Sequence, residues 1–378
     1  MNKKIIIHII TGLGDGGAEG VLYRLIKHSK SNYTHKVISL MDEGKYGNKL
    51  EKLNIQVFCI GFKRGKLNFK GVLKLFKILK NNKSDILQTW MYHSDLLGGL
   101  LGYLFGHKNI IWNVRGNGKG LIHKNIYSKI ILKLCIYLSH YIPKTIITCS
   151  KQAKVNHINF GYKKIFTVIP NGFDHFKFRD DINKRLLIRK KYGVKDNELL
   201  LGCIARYSEQ KSHKFIINSL KDYLKKKKNI KILFIGYKIK NNNNIINLLK
   251  KYNILQYFIL LKNQNNIEDI MNSLDLHLLI SKYGEGFPNV IAESMLCKIP
   301  SITTNVGDSK HIVGNKGWII EVNSSSQLIR SIDKAIKVKD YYPKLWHQLK
   351  SKVRFRIVKK YNIDKMVTNY SNIWNSLK

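Results

Sequence analysis

The sequence predicts an α/β protein built as two Rossmann-like halves, and three observations lead there. Its 378 residues are enough for two domains of roughly 150 or more residues each. The chain opens on a strand, a glycine-rich turn and a helix, the way such folds begin. A second strand–glycine loop–helix–strand unit lies between Leu276 and Val306. Hydrophobic content of 44% supplies sizeable cores and excludes a disordered polyelectrolyte.

The charge is extreme: 67 Lys and Arg against 24 Asp and Glu give +43. Nucleic acid, an anionic membrane face or an anionic substrate would each suit such a surface. A compositional bias towards Lys, Asn and Ile runs throughout, as at Asn241 to Asn244, and accounts for part of it. No nucleic-acid recognition motif and no basic stripe interleaved with aromatics accompanies the charge, so nucleic acid is not an expected partner. Five scattered cysteines without C-x-x-C spacing argue against disulfides and zinc, and for a reducing compartment. The N-terminus runs into a strand without a signal-peptide pattern. The uncharged run Leu96 to Phe105 is about half the ~20 residues that span a bilayer. The expectation is a cytoplasmic protein that at most lies on a membrane.

In order, Ile5 to Ile10 is an apolar strand, and Thr11 to Glu19 is a glycine-rich turn opening a helix over Val21 to His28. The glycine spacing does not suit NAD. Lys36 to Leu40 and Gln56 to Ile60 read as strands. From Lys63 to Lys83, Phe69, Val72, Leu73, Phe76 and Leu79 fall at helical spacing among Lys66, Lys70, Lys74, Lys77 and Lys80. This is either a helix docking on an anionic membrane or an ordinary crossover helix with a solvated lysine face. Asp85 to Trp90 is a strand, and His93 follows its C-terminal end, where α/β proteins place ligands; alternatively His93 packs or caps and Trp90 lines the pocket. Ile110 to Val114 ends at Arg115, a candidate for bidentate phosphate binding or a plain surface arginine. Tyr127 to Leu138 reads as a helix, and Thr145 to Cys149 and Phe166 to Ile169 as strands. After a charged stretch, Lys177 to Asn197, strands recur at Leu199 to Ala205, Ile230 to Ile235 and Phe258 to Leu261.

The most informative stretch follows the buried strand Leu276 to Ile280. Gly284 and Gly286 are free to take φ > 0, and Pro288 suits a helix's first turn. Val290 to Leu296 is a helix and Ile299 to Thr303 a strand. The loop sets bare N–H groups at a helix N-terminus, an anion site bracketed by the carboxylates of Glu285 and Glu293. The string Glu-Gly-Phe-Pro-Asn-Val-Ile-Ala-Glu, with Glu285 and Glu293 at its ends, resembles the signature of retaining, nucleotide-sugar-dependent glycosyltransferases of family 4.

That resemblance covers nearly the whole chain and implies a GT-B fold. Two Rossmann-like domains would face each other across a cleft, an acceptor-binding one over residues 1–174 and a donor-binding one over 175–360. A C-terminal helix, 361–378, would cross back onto the first. Pro170 to Asp174 resembles the family's hinge. Gly16 and Gly17 resemble its Gly-Gly-x-Glu loop near the donor diphosphate. Arg206 and Lys211 resemble its Arg-x4-Lys element, which would neutralise the diphosphate as the glycosidic bond breaks. The amides of the Phe287 to Val290 stretch would assist, with Gly286, Phe287, Pro288, Asn289 and Val290 all counted among the substrate-binding residues. Glu293 would hold the ribose hydroxyls, Glu285 the donor sugar, and Lys262 to Asn266 would offer backbone groups to the base. The role of Asp308 is open, and no nucleophile is assigned.

No D-x-D motif is present, so the family pattern implies no metal or other cofactor. It implies a nucleotide-sugar donor, UDP by family frequency, and a polyprenyl-linked or other glycan acceptor. The enzyme would then lie on the anionic cytoplasmic face of the inner membrane and serve surface polysaccharide (O-antigen or capsule) assembly. The competing readings are a polyanion-binding protein, motivated by the charge, and a GT-B sugar-nucleotide epimerase.

Overall fold

The computed structural model describes residues 3–63, 66, 68–118 and 126–377. Residues 64, 65 and 67 of the basic segment lie outside the described residues. The chain divides into two compact units, Met1–Gly172 with Ile363–Lys378, and Phe173–Asn362.

The first unit alternates β1 (Ile5–Ile10), α1 (Gly17–Ser29), β2 (Thr34–Ser39), α2 (Gly44–Glu51), β3 (Gln56–Cys59), α3 (Phe69–Asn81), β4 (Ile86–Trp90), α4 (Tyr92–Leu104), β5 (Ile110–Val114), α5 (Ile126–Leu138), β6 (Thr145–Thr148), α6 (Lys151–Asn159) and β7 (Phe166–Val168). Its strands form one sheet in the order β3-β2-β1-β4-β5-β6-β7. Every pair in it is parallel. A parallel sheet is covered on both faces, so its strands read as continuous apolar runs. In β1, Ile6 and Ile10 enter one core and Ile7 and Ile9 the other, the period-two alternation of a strand.

The second unit holds α7 (Ile182–Lys191), β8 (Leu199–Ile204), α8 (His213–Lys226), β9 (Ile230–Ile235), α9 (Asn243–Lys251), β10 (Phe258–Leu261), α10 (Ile267–Asn272), β11 (Leu276–Leu279), α11 (Asn289–Leu296), β12 (Ser301–Thr304), α12 (Ser309–Val313), β13 (Trp318–Ile320), α13 (Ser325–Tyr341) and α14 (Pro343–Tyr361). Its sheet runs β10-β9-β8-β11-β12-β13, again parallel.

The last helix, α15 (Ile363–Ser376), belongs to the first unit. Trp374 and Tyr370 are fully buried beside Ile6, Trp90 and Tyr33. The Trp374 indole donates to Gln88 Oε1 at 2.9 Å, and Lys4 Nζ donates to the carbonyls of Trp374 and Leu377.

Several boundaries differ from the sequence expectations, each for a local reason. Helix α1 starts at Gly17 rather than Val21: Gly16 is an extended N-cap and Glu19 lies in the first turn. Strand β12 starts at Ser301 rather than Ile299, because Lys298 takes φ +60° and Ile299 N–H donates to Ser294 O at 3.0 Å. That closure of α11 consumes Ile299 before Pro300 frees the chain to extend. Pro288 is the N-cap of α11, one residue before its first turn. Within the Gly284–Gly286 turn only Gly284 has positive φ, +82°. Strand β13, three residues long, has no counterpart among the expected strands.

Candidate active site

Strand order decides where a ligand sits. In an open parallel sheet the crevice lies outside the carboxyl ends of the strands, where the winding order reverses. The reversal falls between β1 and β4 in the first unit and between β8 and β11 in the second. The residues singled out from sequence cluster at these two points: Gly16 and Gly17 follow β1, His93 follows β4, Arg206 and Lys211 follow β8, and Gly284 to Val290 follow β11.

In the second unit the geometry is closely specified. Lys211 ends a single 3-10 turn, Glu209–Lys211, and Ser212 behind it takes φ +54°. A left-handed serine costs energy that the surrounding packing must offset, and such residues concentrate at functional sites. The turn carries Lys211 Nζ to 2.5 Å from Glu285 Oε1. The same oxygen accepts from Ser281 Oγ at 2.6 Å. Glu285 is 7% exposed, so this carboxylate is buried, paired and hydrogen-bonded, the condition under which a buried charge is tolerated. Lys282 N–H donates to Gln210 O at 2.8 Å, and Arg206 Nη2 to Gln210 Oε1 at 3.3 Å. The structure thus joins the Arg206–Lys211 loop to the Glu285 loop through Gln210, leaving the Arg206 side chain exposed.

The glycine loop is fixed from beneath. Gly307 has φ +61°, and a Cβ there would stand 2.4 Å from Glu285 O, so only glycine fits. Asp308 N–H donates to Gly286 O at 2.9 Å. Phe287 is buried against Phe173, with ring centroids 6.0 Å apart, and edge-on to Tyr361 at 5.2 Å. Its ring therefore anchors the loop, leaving its backbone as what it offers a ligand. Asn289, Val290 and Glu293 lie half-buried on the first two turns of α11. Below Lys211, His213 and His277 are buried, and burial together with the Lys211 cation lowers them to about 4 and about 3. Both are neutral, which keeps Lys211 the local positive charge beside Glu285.

In the first unit Met91, the N-cap of α4, has φ +72° and ψ 156°, a region that side chains other than glycine rarely adopt. His93 is exposed in the turn that follows. Trp90 is fully buried, so it lines no pocket. Arg115 lies over the Trp90 ring, 5.5 Å from its centroid, and donates to Asn113 Oδ1 at 3.2 Å and to Asn171 Oδ1. It is a half-buried, tethered guanidinium rather than a loose surface arginine. At the start of α1, the Glu19 carboxylate folds back beside Gly16, where a Cβ would stand 2.3 Å from Glu19 Oε2. Burial raises the Glu19 pKa, against the lowering effect of first-turn amides.

Sequence reasoning gave Ser281, Gln210, Gly307 and Glu19 no site role. The available signals were a serine four residues before a loop glutamate and, for Glu19, its place as the glutamate of the Gly-Gly-x-Glu resemblance, which gave it no role of its own. Among the described residues no group of three or more His, Cys, Asp or Glu side chains is placed to hold a metal ion. None of their helices is long and apolar enough to cross a membrane.

Two doubly wound parallel units, each with candidate ligand groups at its switch point, are the building blocks of the GT-B fold. A model of the Glycosyl transferases group 1 family matches residues 184–354, and one of Glycosyltransferase Family 4 matches residues 15–176. The UDP-Gal:α-D-GlcNAc-diphosphoundecaprenol α-1,3-galactosyltransferase of Escherichia coli is 25% identical over 316 residues, 81% of this chain and 79% of that protein. The capsular polysaccharide biosynthesis glycosyltransferase CapM of Staphylococcus aureus is 25% identical over 304 residues, 76% of each chain. In fold, the crystal structure of Anabaena Alr3699/HepE in complex with UDP superposes with a TM-score of 0.85 at 18% identity, covering 98% of this chain and all of that one. The chain belongs to the family 4 glycosyltransferases.

Proposed function

We propose that this glycosyltransferase moves a sugar from a UDP-sugar, with retention at the anomeric carbon, to a lipid-linked glycan acceptor in bacterial surface polysaccharide assembly. The observation that carries the donor half is the Lys211–Glu285 pair beside the glycine loop and the N-terminus of α11. A lysine beside a glycine loop and a helix N-terminus offers a cation and backbone N–H groups, and a diphosphate is the anion that uses both.

In this reading Arg206 and Lys211 take the charge that grows on the departing nucleoside diphosphate as the anomeric carbon–oxygen bond breaks. The amides of Gly286, Phe287, Asn289 and Val290 assist, and no metal is required. Glu293 accepts from the ribose hydroxyls. Glu285 orients the donor sugar and holds Lys211. In the first unit, Gly16 and Gly17 offer amides to an anionic group, His93 stands beside the acceptor, and Arg115 is its phosphate contact. The acceptor half rests on relatives: the E. coli protein is named for a diphosphoundecaprenol-linked acceptor, as is one from Campylobacter jejuni. Such an acceptor would set the enzyme at the cytoplasmic face of the inner membrane.

The test is calorimetric titration of UDP-GlcNAc, UDP-Gal, UDP-Glc and GDP-mannose in EDTA. One donor is expected to bind saturably, and Glu293→Ala to weaken it by about 1–3 kcal/mol through lost charged hydrogen bonds. No binding to any of the four by folded protein would end the donor reading. Turnover of the nucleotide sugar to an isomer without acceptor would instead favour the epimerase.

A further inference from the structure

Helices α3, α4 and α5 form one layer on one face of the first sheet, with α4 packed between the other two. The inner side of α5 is ordinary: Leu132 and Cys135 are buried. Its outer side is not. Ile126, Ile130, Leu134 and Tyr137 recur at steps of four, four and three residues, and Tyr141 continues the line, each 44–63% exposed. That spacing is a single stripe along one helix face. Tyr103 and Leu104 at the end of α4, and Phe69 and Leu73 on α3, are exposed on the same layer. Phe69 and Leu73 thus leave the apolar face read for α3 from sequence, while Leu75 and Leu79 are its buried contacts.

Charge says what such a layer meets. From Leu96 to Phe173 there are eleven Lys and Arg and no Asp or Glu, and from Lys52 to Ser84 nine and none. Lys129 and Lys133 flank the α5 stripe, and Lys70, Lys74 and Lys77 the α3 residues, all exposed. The only carboxylate within these three helices, Asp95, is buried. An apolar stripe edged by cations and lacking carboxylates suits an anionic lipid surface. A second copy of the chain would bring like charges together. The apolar residues exposed on α7 differ: Leu186 and Leu187 share their surroundings with Asp180 and Asp181.

We infer that the α3–α4–α5 layer docks on an anionic bilayer, with the α5 stripe entering the headgroup region. This deepens the proposal of a lipid-linked acceptor and rests on it, since docking brings the first unit to the surface where such an acceptor lies. Three exposed substitutions together, Ile130→Ser, Leu134→Ser and Tyr137→Ser, test it without touching the core or the candidate site.

The measurement is co-sedimentation with vesicles of phosphatidylglycerol and phosphatidylethanolamine, compared with phosphatidylcholine alone. Wild type should bind the anionic vesicles, and the triple variant about tenfold less. Lys129→Gln with Lys133→Gln should weaken binding by about fivefold per lysine at low salt, and Leu186→Ser with Leu187→Ser should change nothing. No binding by wild type, or equal binding by the triple variant, overturns the inference. So does wild-type self-association that the triple variant abolishes, which would make the face a contact between copies. Donor calorimetry on the same samples separates the two readings. Protein that binds UDP-sugar but no vesicle ends the docking proposal alone, and protein that binds vesicles but no nucleotide sugar ends the donor reading alone.

Discussion

Lys211 and Glu285 are 74 residues apart in the chain and 2.5 Å apart in space, and each makes the other tolerable. The Lys211 side chain is 15% exposed and that of Glu285 9%, so removing one leaves the other short of both solvent and partner. Glu285→Ala is expected to lower stability by about 2–3 kcal/mol as well as abolishing transfer, and Lys211→Ala to do much the same. The double variant should cost less than their sum, by a coupling of about 1–3 kcal/mol. Urea titration of the four proteins measures this, and strict additivity would show that the contact carries no stability. Ser281→Ala removes one hydroxyl donor from the same carboxylate oxygen and should cost about 1 kcal/mol. Because Glu285 then loses a positional constraint while keeping its charge, turnover should fall more than donor affinity, and Ser281→Thr should restore part of it. Equal losses in both, or no rescue, would reduce Ser281 to packing.

Among the elements, α15 shows what sequence reasoning reaches and what it does not. The strands were legible because a strand buried on both faces is a run of isoleucine and leucine, and β1, β5, β9 and β10 begin and end where the apolar runs do. The Glu285–Glu293 unit was legible because its composition is unusual within a local strand–loop–helix frame. Pairings between distant segments were not. Gln88 and Trp374 are 286 residues apart, and nothing in either neighbourhood announces the other. Short elements hid too: β13 has three residues to show a pattern, and the start of α1 was masked by glycines that ordinarily signal a turn. Structurally, α15 is a core element of the first unit, since Met366, Tyr370 and Trp374 are each at most 2% exposed. Trp374→Ala removes the largest of these and strands Gln88, so a loss of about 3–5 kcal/mol is expected. Urea unfolding followed by circular dichroism checks it, and a loss under about 1 kcal/mol, the scale of a surface change, would mean α15 is peripheral.

Across the whole molecule, buried histidines set the response to acid. In the first unit they form a chain with one consistent direction. Trp90 Nε1 donates to His8 Nδ1 at 3.3 Å, which places the His8 proton on Nε2, facing His35 Nδ1 at 3.0 Å. His35 Nε2 then donates to Ser29 Oγ at 2.9 Å, and Ser29 donates to Leu25 O at 2.7 Å. A second proton on His8 would oppose the indole N–H, so the geometry as well as burial resists protonation. Burial lowers His8 well below the usual imidazole value, His35 to about 3 and His157 to about 4, alongside His213 and His277 in the second unit. A histidine depressed in the folded state takes up its proton only on unfolding between its folded pKa and about 6.5. Its stabilising contribution is therefore complete above that window and lost as pH falls through it, by up to about 1.4 kcal/mol per pH unit for each group. Asp95 works the other way: burial raises it to about 8, so folding is favoured as pH falls from 8 towards 4. Glu19, also raised by burial, acts in the same sense as Asp95, but two carboxyls face three buried histidines in the first unit and the second unit adds two more, so acid wins in both units. The expected result is a fall of several kcal/mol in unfolding free energy between pH 7 and pH 5, with His8 and His35 untitrated by NMR in the folded protein down to pH 5. A flat stability profile over that range, or imidazole titration near 6.5 in the native state, would show that these rings reach solvent and that the chain from Trp90 to Leu25 is broken.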